Sequence, residues 1–373
     1  MSRWQQAFHL LLQAGLWEKR PTSLSLFPLT DHEWQQVYHE SRRQAIQGLL
    51  YRGFQLLPEY YFPPQQVLLL WLTDIIAIEE NNQQMLQAVM TSQQLLHRAG
   101  MKCVLQKGLA VAAHYEHPQQ RSCGDIDWYV ATDGSNWKAL LPFLHEQGFS
   151  PTVSADGSIF FLCDDVQVEL HRRLIDIQNP KKEGLLTELS AEPALTTRKL
   201  SDSVSVTTPS PVTTMVMLMA HMMKHALTVG IGLRQFCDLA RAYHAFQGQY
   251  DSERLSDCYR QLGMTKWCSA VHALLTDYLG VPADLLPSPP PATLEGEKLM
   301  ERVARWGNFG QHTSQWPGHP SKRYTVGQIV RNLPMSLHFA PMESFYNIRE
   351  LICGQRRYLV NPFKQRLLHV KRQ

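Results

Sequence analysis

The pattern of hydrophobic and polar positions is helical over roughly the first hundred residues. Thr30-Asp31-His32-Glu33 is a capping-box sequence, which predicts a helix through Arg52 that closes near Gly53. Pro63-Pro64 precedes a second helical pattern that continues to about Arg98. The apolar stripe of this long helix predicts a packing face, made of Leu68, Trp71, Leu72, Ile75, Ile78 and Met85.

The pattern changes after residue 100 to short apolar runs separated by polar turns. These runs predict strands near 101–106, 124–130, 159–162, 166–170 and 203–207, with helices near 109–115 and 135–147. From about residue 209 the pattern is helical again, and a proline-rich connector at 282–291 interrupts it. We therefore predict an α+β fold with a helical N-terminal region (1–100), a core with a small mixed sheet (101–208) and a helical C-terminal region (209–373).

Composition excludes several classes of protein. Hydrophobic residues make up 44% and charged residues 18% of the 373 positions, as in ordinary globular proteins, and the net charge of +3 is too small to argue for nucleic acid. The seven scattered cysteines contain no Cys-x-x-Cys, so we expect reduced thiols. The apolar run from Val67 to Ile78 is short and contains Asp74, so we expect no transmembrane segment and a cytoplasmic location.

Two aspartates separated by one residue, Asp125 and Asp127, form the most informative motif of the chain. The apolar residues behind them place the motif on a strand, where alternate side chains share a face with Cα atoms about 6.6 Å apart. Carboxylates with this spacing suit two hard cations about 3.5–4 Å apart that also bind substrate phosphate. An isolated Asp-x-Asp pair is more often a solvated turn or strand, so the interpretation depends on the surrounding residues.

Two nearby segments support a site for metal and phosphate. Lys107-Gly108 follows a short apolar run, and its glycine permits close approach of the backbone to a ligand while its lysine offers a charge to phosphate. A helix that begins at Leu109 would direct backbone N–H groups at an anion. In the predicted hairpin of residues 159–170, Glu169 lies on the polar face of a strand whose other face is apolar. It is a candidate third metal ligand.

The order of these motifs resembles a family of uncharacterised bacterial nucleotidyltransferases in the DNA-polymerase-β-like superfamily. The resemblance is carried by Lys107-Gly108, Arg121, Gly124-Asp125-Ile126-Asp127 and Val168-Glu169-Leu170-His171, within residues 79–175. It implies that the mixed-sheet core is a nucleotidyltransferase core. The third acid of the superfamily is more often aspartate, and Lys107-Gly108 replaces a Gly-Ser or Gly-Gly pair.

The resemblance also implies the roles of the site residues. The expected catalytic residues and metal ligands are Asp125, Asp127 and Glu169, with Mg²⁺ as cofactor and Mn²⁺ as a possible substitute. The third carboxylate of such enzymes helps to activate the attacking hydroxyl. The residues expected to bind nucleotide are Lys107, Gly108, Arg121, Gly124 and His171.

The leading hypothesis is an enzyme that moves an NMP group from a nucleoside triphosphate to a hydroxyl acceptor and releases pyrophosphate. Relatives are associated with surface-polysaccharide genes, so the resemblance favours a sugar or cell-envelope precursor as acceptor. Alternatives are a protein AMP-transferase and a nucleotide-binding scaffold without turnover. An RNA-modifying enzyme is disfavoured by the small net charge, and we do not expect nucleic acid as a partner.

Two further clusters leave alternatives open. His221 and His225 lie one helical turn apart, which is compatible with a zinc site, with a helix that faces the active site together with Lys224 and Arg234, or with ordinary packing. The segment from Arg349 to the last residue is basic, and its interpretations are contact with nucleic acid or anionic lipid, or a solvated helix face.

Overall fold

The helices of the N-terminal region follow the predicted pattern, with one break. A computed structural model describes residues 1–132, 134–154, 156–191, 195–228, 230–288, 295–308, 322–346 and 348–349. The first four helices are α1 (Arg3–Trp17), α2 (Asp31–Arg43), α3 (Gln47–Gln55) and α4 (Gln65–Arg98). The predicted capping box is confirmed, because the Glu33 amide donates to Thr30 Oγ1 and the Thr30 amide donates to the Glu33 carboxylate.

The prediction of one helix through Arg52 is wrong. Ala45 adopts a left-handed conformation with φ +55°, and this divides the segment into α2 and α3. The break allows the buried side chain of Gln44 to donate a hydrogen bond to the carbonyl of Val303 and to accept one from the amide of Leu233. These distant partners explain why the local sequence did not signal the break.

The central sheet packs against α4 and has five strands. Its strands are β1 (Lys102–Leu105), β2 (Ile126–Ala131), β3 (Thr152–Val153), β4 (Ile159–Cys163) and β5 (Val166–His171), in the order β1-β2-β5-β4-β3. Strands β2 and β5 are parallel and the other neighbouring pairs are antiparallel, so the predicted mixed sheet is confirmed. Along the chain, α5 (Leu109–Ala112) connects β1 to β2, and α6 (Gly134–Glu146) connects β2 to β3.

The rest of the described chain is mainly helical. A short hairpin, β6 (Leu195–Lys199) with β7 (Ser205–Pro209), follows α7 (Glu183–Ser190). The C-terminal helices are α8 (Pro211–Thr228), α9 (Leu233–Ala245), α10 (Ser252–Gln261), α11 (Thr265–Leu279), α12 (Glu295–Trp306) and α13 (Lys322–Phe339). No described helix is both long enough and apolar enough to cross a membrane.

Two hydrophobic cores hold these elements together. One face of the sheet, which includes Trp128 and Val168, packs with α6 and the second half of α4. The second core joins the N-terminal helices to the C-terminal helices, because residues as far apart as Leu11 and Leu275 belong to one buried cluster. The Trp17 indole also donates a hydrogen bond of 2.6 Å to the carbonyl of Leu279. The two helical regions therefore form one packed body around the sheet.

The described cysteines are free thiols, in agreement with the prediction for this part of the chain. They are Cys103, Cys123, Cys163, Cys237, Cys258 and Cys268, whereas Cys353 lies outside the described residues. The basic C-terminal segment also lies outside them beyond Arg349, which is exposed.

Candidate active site

The parallel pairing of β2 with β5 brings two predicted acids together. Asp127 is the register partner of Glu169 in this pair. Their side chains share the sheet face opposite Trp128, whose ring is buried in the core and whose indole donates to Ser92. The Asp127 side chain is only 5% exposed, and Glu169 is half-buried. Adjacent parallel strands thus place two carboxylates on the face that the sequence predicted.

His171 completes a compact set of three potential metal ligands. Its Nε2 lies 2.8 Å from Asp127 Oδ1, and its Nδ1 lies 3.6 Å from Glu169 Oε1. One ligand atom from each of Asp127, Glu169 and His171 lies within 4.8 Å of the other two. Ser158 Oγ lies 3.3 Å from His171 Nδ1 and helps to orient the ring. The structure therefore brings these three side chains close enough to share one cation.

Asp125 lies beside this set. It precedes the first residue of β2, and its side chain is exposed at the rim of the site. Desolvation by the surrounding protein, followed by repulsion from Asp127, raises the pKa of Asp125. The negative charge of Asp125 in turn raises the pKa of Glu169, so the two carboxylates interact. The predicted acids occupy one electrostatic environment.

Neighbouring charges give the acids different proton affinities. Burial opposes ionisation of Asp127, but Lys107 and His171 outweigh it and hold the pKa of Asp127 below its usual value. Burial raises the pKa of Glu169 to about 7, against the lowering effect of His171. Asp127 is therefore a permanent anion at neutral pH, whereas Glu169 is able to exchange a proton there.

Lys107 and Gly108 border the same acids. Lys107 Nζ lies 3.2 Å from Asp127 Oδ1, and although burial alone would lower it, Asp127 and Asp176 raise the pKa of Lys107. Gly108 has φ +57° and ψ −116°, and a Cβ at this position would lie 3.3 Å from the carbonyl oxygen of Asp125. The turn before α5 therefore requires glycine and packs against the backbone of the Asp-x-Asp motif.

The helix after this turn is shorter than predicted. It was expected over 109–115 but ends at Ala112, because the amides of His114 and Tyr115 bond three residues back, to the carbonyls of Val111 and Ala112. A helix of one turn contributes little positive potential at its N-terminus, so we attribute the positive charge next to the acids to the Lys107 ammonium.

Helix α8 faces the site, as one of the sequence alternatives expected. His221 Nδ1 lies 3.1 Å from Asp176 Oδ2 and 3.4 Å from Lys107 Nζ. Lys224 donates a hydrogen bond of 2.9 Å to the other oxygen of Asp176. The rings of His221 and His225 are 4.3 Å apart between centroids, but neither belongs to a set of three metal-ligating groups among the described residues. These contacts connect α8 to Lys107.

Arg121 is fixed by a buried ion pair. Its Nε and Nη2 lie 2.9 and 2.5 Å from the two oxygens of Asp238 on α9. Tyr115 donates a further hydrogen bond of 2.7 Å to this carboxylate. Arg234, from the same helix as Asp238, donates a hydrogen bond to the carbonyl of Ser122. The role of Arg121 in nucleotide binding stays a prediction.

Helix α4 holds the other side of the loop that precedes β2. The amide of Asn82 is buried and donates to the carbonyls of Gln119 and Arg121, at 2.6 and 2.8 Å. Asn81 donates to the carbonyl of Cys123. The role of Asn82 was not predicted from the sequence. A buried polar residue on the packing stripe was the available signal, since such side chains need partners.

The mixed sheet and its paired carboxylates define a nucleotidyltransferase-like core. The sequence profile of a family described as Uncharacterised nucleotidyltransferase matches residues 30–280, which is more than half of the chain. The protein belongs to this family of nucleotidyltransferases. No curated protein matches the sequence.

A solved structure shows a distant likeness. The crystal structure of an antigenic nucleotidyltransferase-like protein from Paracoccidioides brasiliensis is 12% identical and covers 53% of this chain and 92% of its own. The TM-score of 0.32 is too low for details of that protein to be transferred.

Proposed function

We propose that this protein is a metal-dependent nucleotidyltransferase that moves an NMP group from a nucleoside triphosphate to a hydroxyl acceptor. The observation that carries the proposal is the convergence of Asp127, Glu169 and His171, whose ligand atoms lie within 4.8 Å of one another. Family membership supports the same reaction class. Polymerase-β-like ancestry is part of the proposal, since it rests on the motif order of the sequence.

The donor atoms of the site fit a hard divalent cation. Carboxylate oxygens are the ligands that Mg²⁺ and Mn²⁺ prefer; Asp127 and Glu169 supply them beside the His171 imidazole, and Asp125 interacts electrostatically with both acids. We propose that Asp125, Asp127 and Glu169 hold the cation or cation pair. When bound, the metal neutralises charge on the triphosphate. Lys107, which lies 3.2 Å from Asp127 Oδ1, would contact phosphate.

The protein side chains supply positioning and proton transfer. In the proposed step, the acceptor oxygen forms a bond to the α-phosphorus while the bond from that phosphorus to the bridging oxygen breaks. Pyrophosphate leaves, and the hydroxyl proton passes to the Glu169 carboxylate. Gly108 and Gly124 allow the backbone to approach the triphosphate, and Lys107 and His171 contact its oxygens.

We assign Arg121 a positioning role. Its Nε and Nη2 bond to Asp238 and its Nη1 donates to the carbonyl of Ser122, so it acts by holding the loop that presents Asp125 and Asp127. The acceptor is a hydroxyl compound, for which a sugar or cell-envelope precursor remains the family-based choice. The cluster of Asp176, His221 and Lys224 on the α8 side is polar and adjoins Lys107, and it is the region where we place acceptor or terminal phosphate contacts.

The test is a labelling experiment with matched variants. The full-length protein is incubated with each α-labelled nucleoside triphosphate, a metabolite extract as acceptor source, and Mg²⁺ or Mn²⁺. We expect a labelled product and pyrophosphate, and a loss of at least about a hundredfold in Asp127→Asn and Glu169→Gln. The control is Asp165→Asn, an exposed residue in the β4–β5 turn whose φ of +62° suits asparagine.

Three outcomes would contradict the proposal. Equal turnover in Asp127→Asn and wild type would show that this site takes no part in the reaction. An equal loss of product formation in Asp165→Asn would show that removing any negative charge has this effect. Nucleotide binding without product for any triphosphate or metal would favour the scaffold alternative.

A further inference from the structure

A cleft separate from the candidate active site lies between β6, the end of α9 and the turn after α5. It has a volume of about 420 Å³, within the range of small-molecule sites. The side chains that matter for its chemistry are His114, Glu116, Arg198, Arg241, His244 and Phe246. Neither the acids of the candidate active site nor Lys107 lines it, so it is a second place where a ligand can be held.

Arg198 is the distinctive residue of this cleft. Its guanidinium lies over the ring of Phe246, 5.5 Å from the centroid, and the side chain is partly buried. Among the described residues it makes no ion pair with a carboxylate, unlike its neighbour Lys199, which pairs with Asp202. Burial lowers the pKa of Arg198, because the charge loses hydration without gaining a counter-ion. A bound anion would supply the counter-ion that Arg198 lacks.

The other charged residues of the cleft also favour the binding of an anion. Arg241 is buried and uses its donors on the carbonyls of His114 and Leu16 and on the Glu116 carboxylate. The acid of the cleft is thereby already paired, while Arg198 is not. The positive potential of Arg198 and Arg241 therefore dominates the cleft.

The histidines of the cleft act as neutral polar groups. Burial, followed by the charges of Arg198 and Arg241, lowers the pKa of His114 to about 3. Burial and then Arg241 lower the pKa of His244 as well. Both rings are neutral at physiological pH, when each has one N–H to donate to an anion.

We propose that this cleft binds a small organic anion through a phosphate or carboxylate group, with Arg198 as its principal contact. The planar guanidinium, whose Cζ lies 5.5 Å from the centroid of the Phe246 ring, presents a fork of donors that matches both groups. The volume exceeds that of an inorganic ion, so the ligand carries an organic part beside the charged group.

The experiment measures anion binding to the full-length protein by titration calorimetry, with EDTA present so that no divalent metal contributes. The probes are inorganic phosphate, ribose 5-phosphate and succinate, which separate a phosphate group from a carboxylate group. We expect saturable binding of at least one probe, weakened about tenfold or more in Arg198→Gln. Arg198→Lys keeps the charge without the fork, and we expect a smaller loss.

Lys199→Gln is the matched control. It removes the same charge from the adjacent position of β6, which points to the opposite face, and we expect it to bind the probes as wild type does. Circular dichroism of each variant confirms that it is folded. The proposal is overturned if no probe saturates below about 10 mM, if Arg198→Gln binds as tightly as wild type, or if Lys199→Gln weakens binding equally.

Discussion

Arg121 and Asp238 are joined by two hydrogen bonds, although more than a hundred residues separate them in the sequence. The pair connects the loop before β2 to α9, so the position of the two aspartates depends on a helix of the C-terminal region. Asn82 of α4 holds the same loop through the carbonyl of Arg121. The candidate site is thus assembled from three parts of the chain.

Breaking this pair should destabilise the protein. For Arg121→Gln or Asp238→Asn, we expect the free energy of unfolding to fall by about 3–5 kcal/mol, because each change leaves a buried group unpaired. The double variant should lose less than the sum of the two. Urea unfolding measures all three. If Arg121→Gln keeps wild-type stability and raises only the KM for nucleotide, Arg121 is a substrate contact and not a brace.

Removing the charge of Lys107 should have opposite effects on metal binding and on turnover. Lys107 lies 3.2 Å from Asp127 and competes with a cation for that oxygen. We expect Lys107→Gln to bind Mn²⁺ about tenfold more tightly but to transfer nucleotide about tenfold more slowly or worse, since the triphosphate loses a cation. Electron paramagnetic resonance measures free Mn²⁺. Lys138→Gln, an exposed lysine on α6, is the control, and weaker Mn²⁺ binding in Lys107→Gln would contradict the expectation.

Two glycines next to the acids should respond differently to alanine. Gly108 has a positive φ and a close neighbour in the Asp125 carbonyl, whereas a Cβ at Gly124 would meet no atom within 4 Å. We expect Gly108→Ala to lower the free energy of unfolding by about 1–3 kcal/mol and Gly124→Ala to change it by less than about 0.5 kcal/mol. Chemical denaturation measures the free energy of unfolding of both variants. Equal losses of stability would show that a Cβ at position 108 does not strain the turn.

A buried histidine should make the protein less stable in mild acid. His272 is fully buried between the Tyr243 hydroxyl and the carbonyl of Ser288, and burial lowers its pKa to about 4. Between pH 6.5 and 4 the unfolded chain therefore binds the proton that the folded chain excludes. Stability falls as the pH falls through this window, by at most about 3 kcal/mol from this residue.

The slope of stability against pH tests this directly. In His272→Gln the proton uptake on unfolding between pH 4.5 and 6 should decrease by nearly one, whatever the change in absolute stability. His97→Gln, exposed on α4, controls for the loss of an imidazole as such. An unchanged slope in His272→Gln would mean that the histidine is already protonated in the folded protein.

Elements with strong local patterns were predictable from the sequence. The long helix α4 was expected to about Arg98 and ends there, since its apolar stripe and flanking prolines are local signals. Strand β6 was missed because most of its side chains are exposed and its apolar alternation is weak. The two residues of β3 are too few for any periodic signal.

The candidate site was predictable only in part, because some of its contacts depend on tertiary packing and leave no local pattern in the sequence. The alternation of β5 placed Glu169 on a polar face, but no local pattern indicates that β5 lies parallel to β2 with Glu169 opposite Asp127. Asp176 was missed because its partners lie on α8, and its sequence context contains no motif. The pairing of Arg121 with Asp238 was not predicted, because it depends on tertiary packing between distant segments of the chain.

The shared core of the first and last helical regions affects how the protein can be divided for experiments. Trp17 of α1 donates to the carbonyl of Leu279 in α11, and Leu11 belongs to one buried cluster with residues of α11. An excised piece that spans only 101–208 would therefore retain the carboxylates but lose the two helical regions. Val104, whose side chain belongs to that shared core, would then face water. Crystallisation or binding trials on such a fragment would report on exposed hydrophobic surface as much as on the catalytic groups.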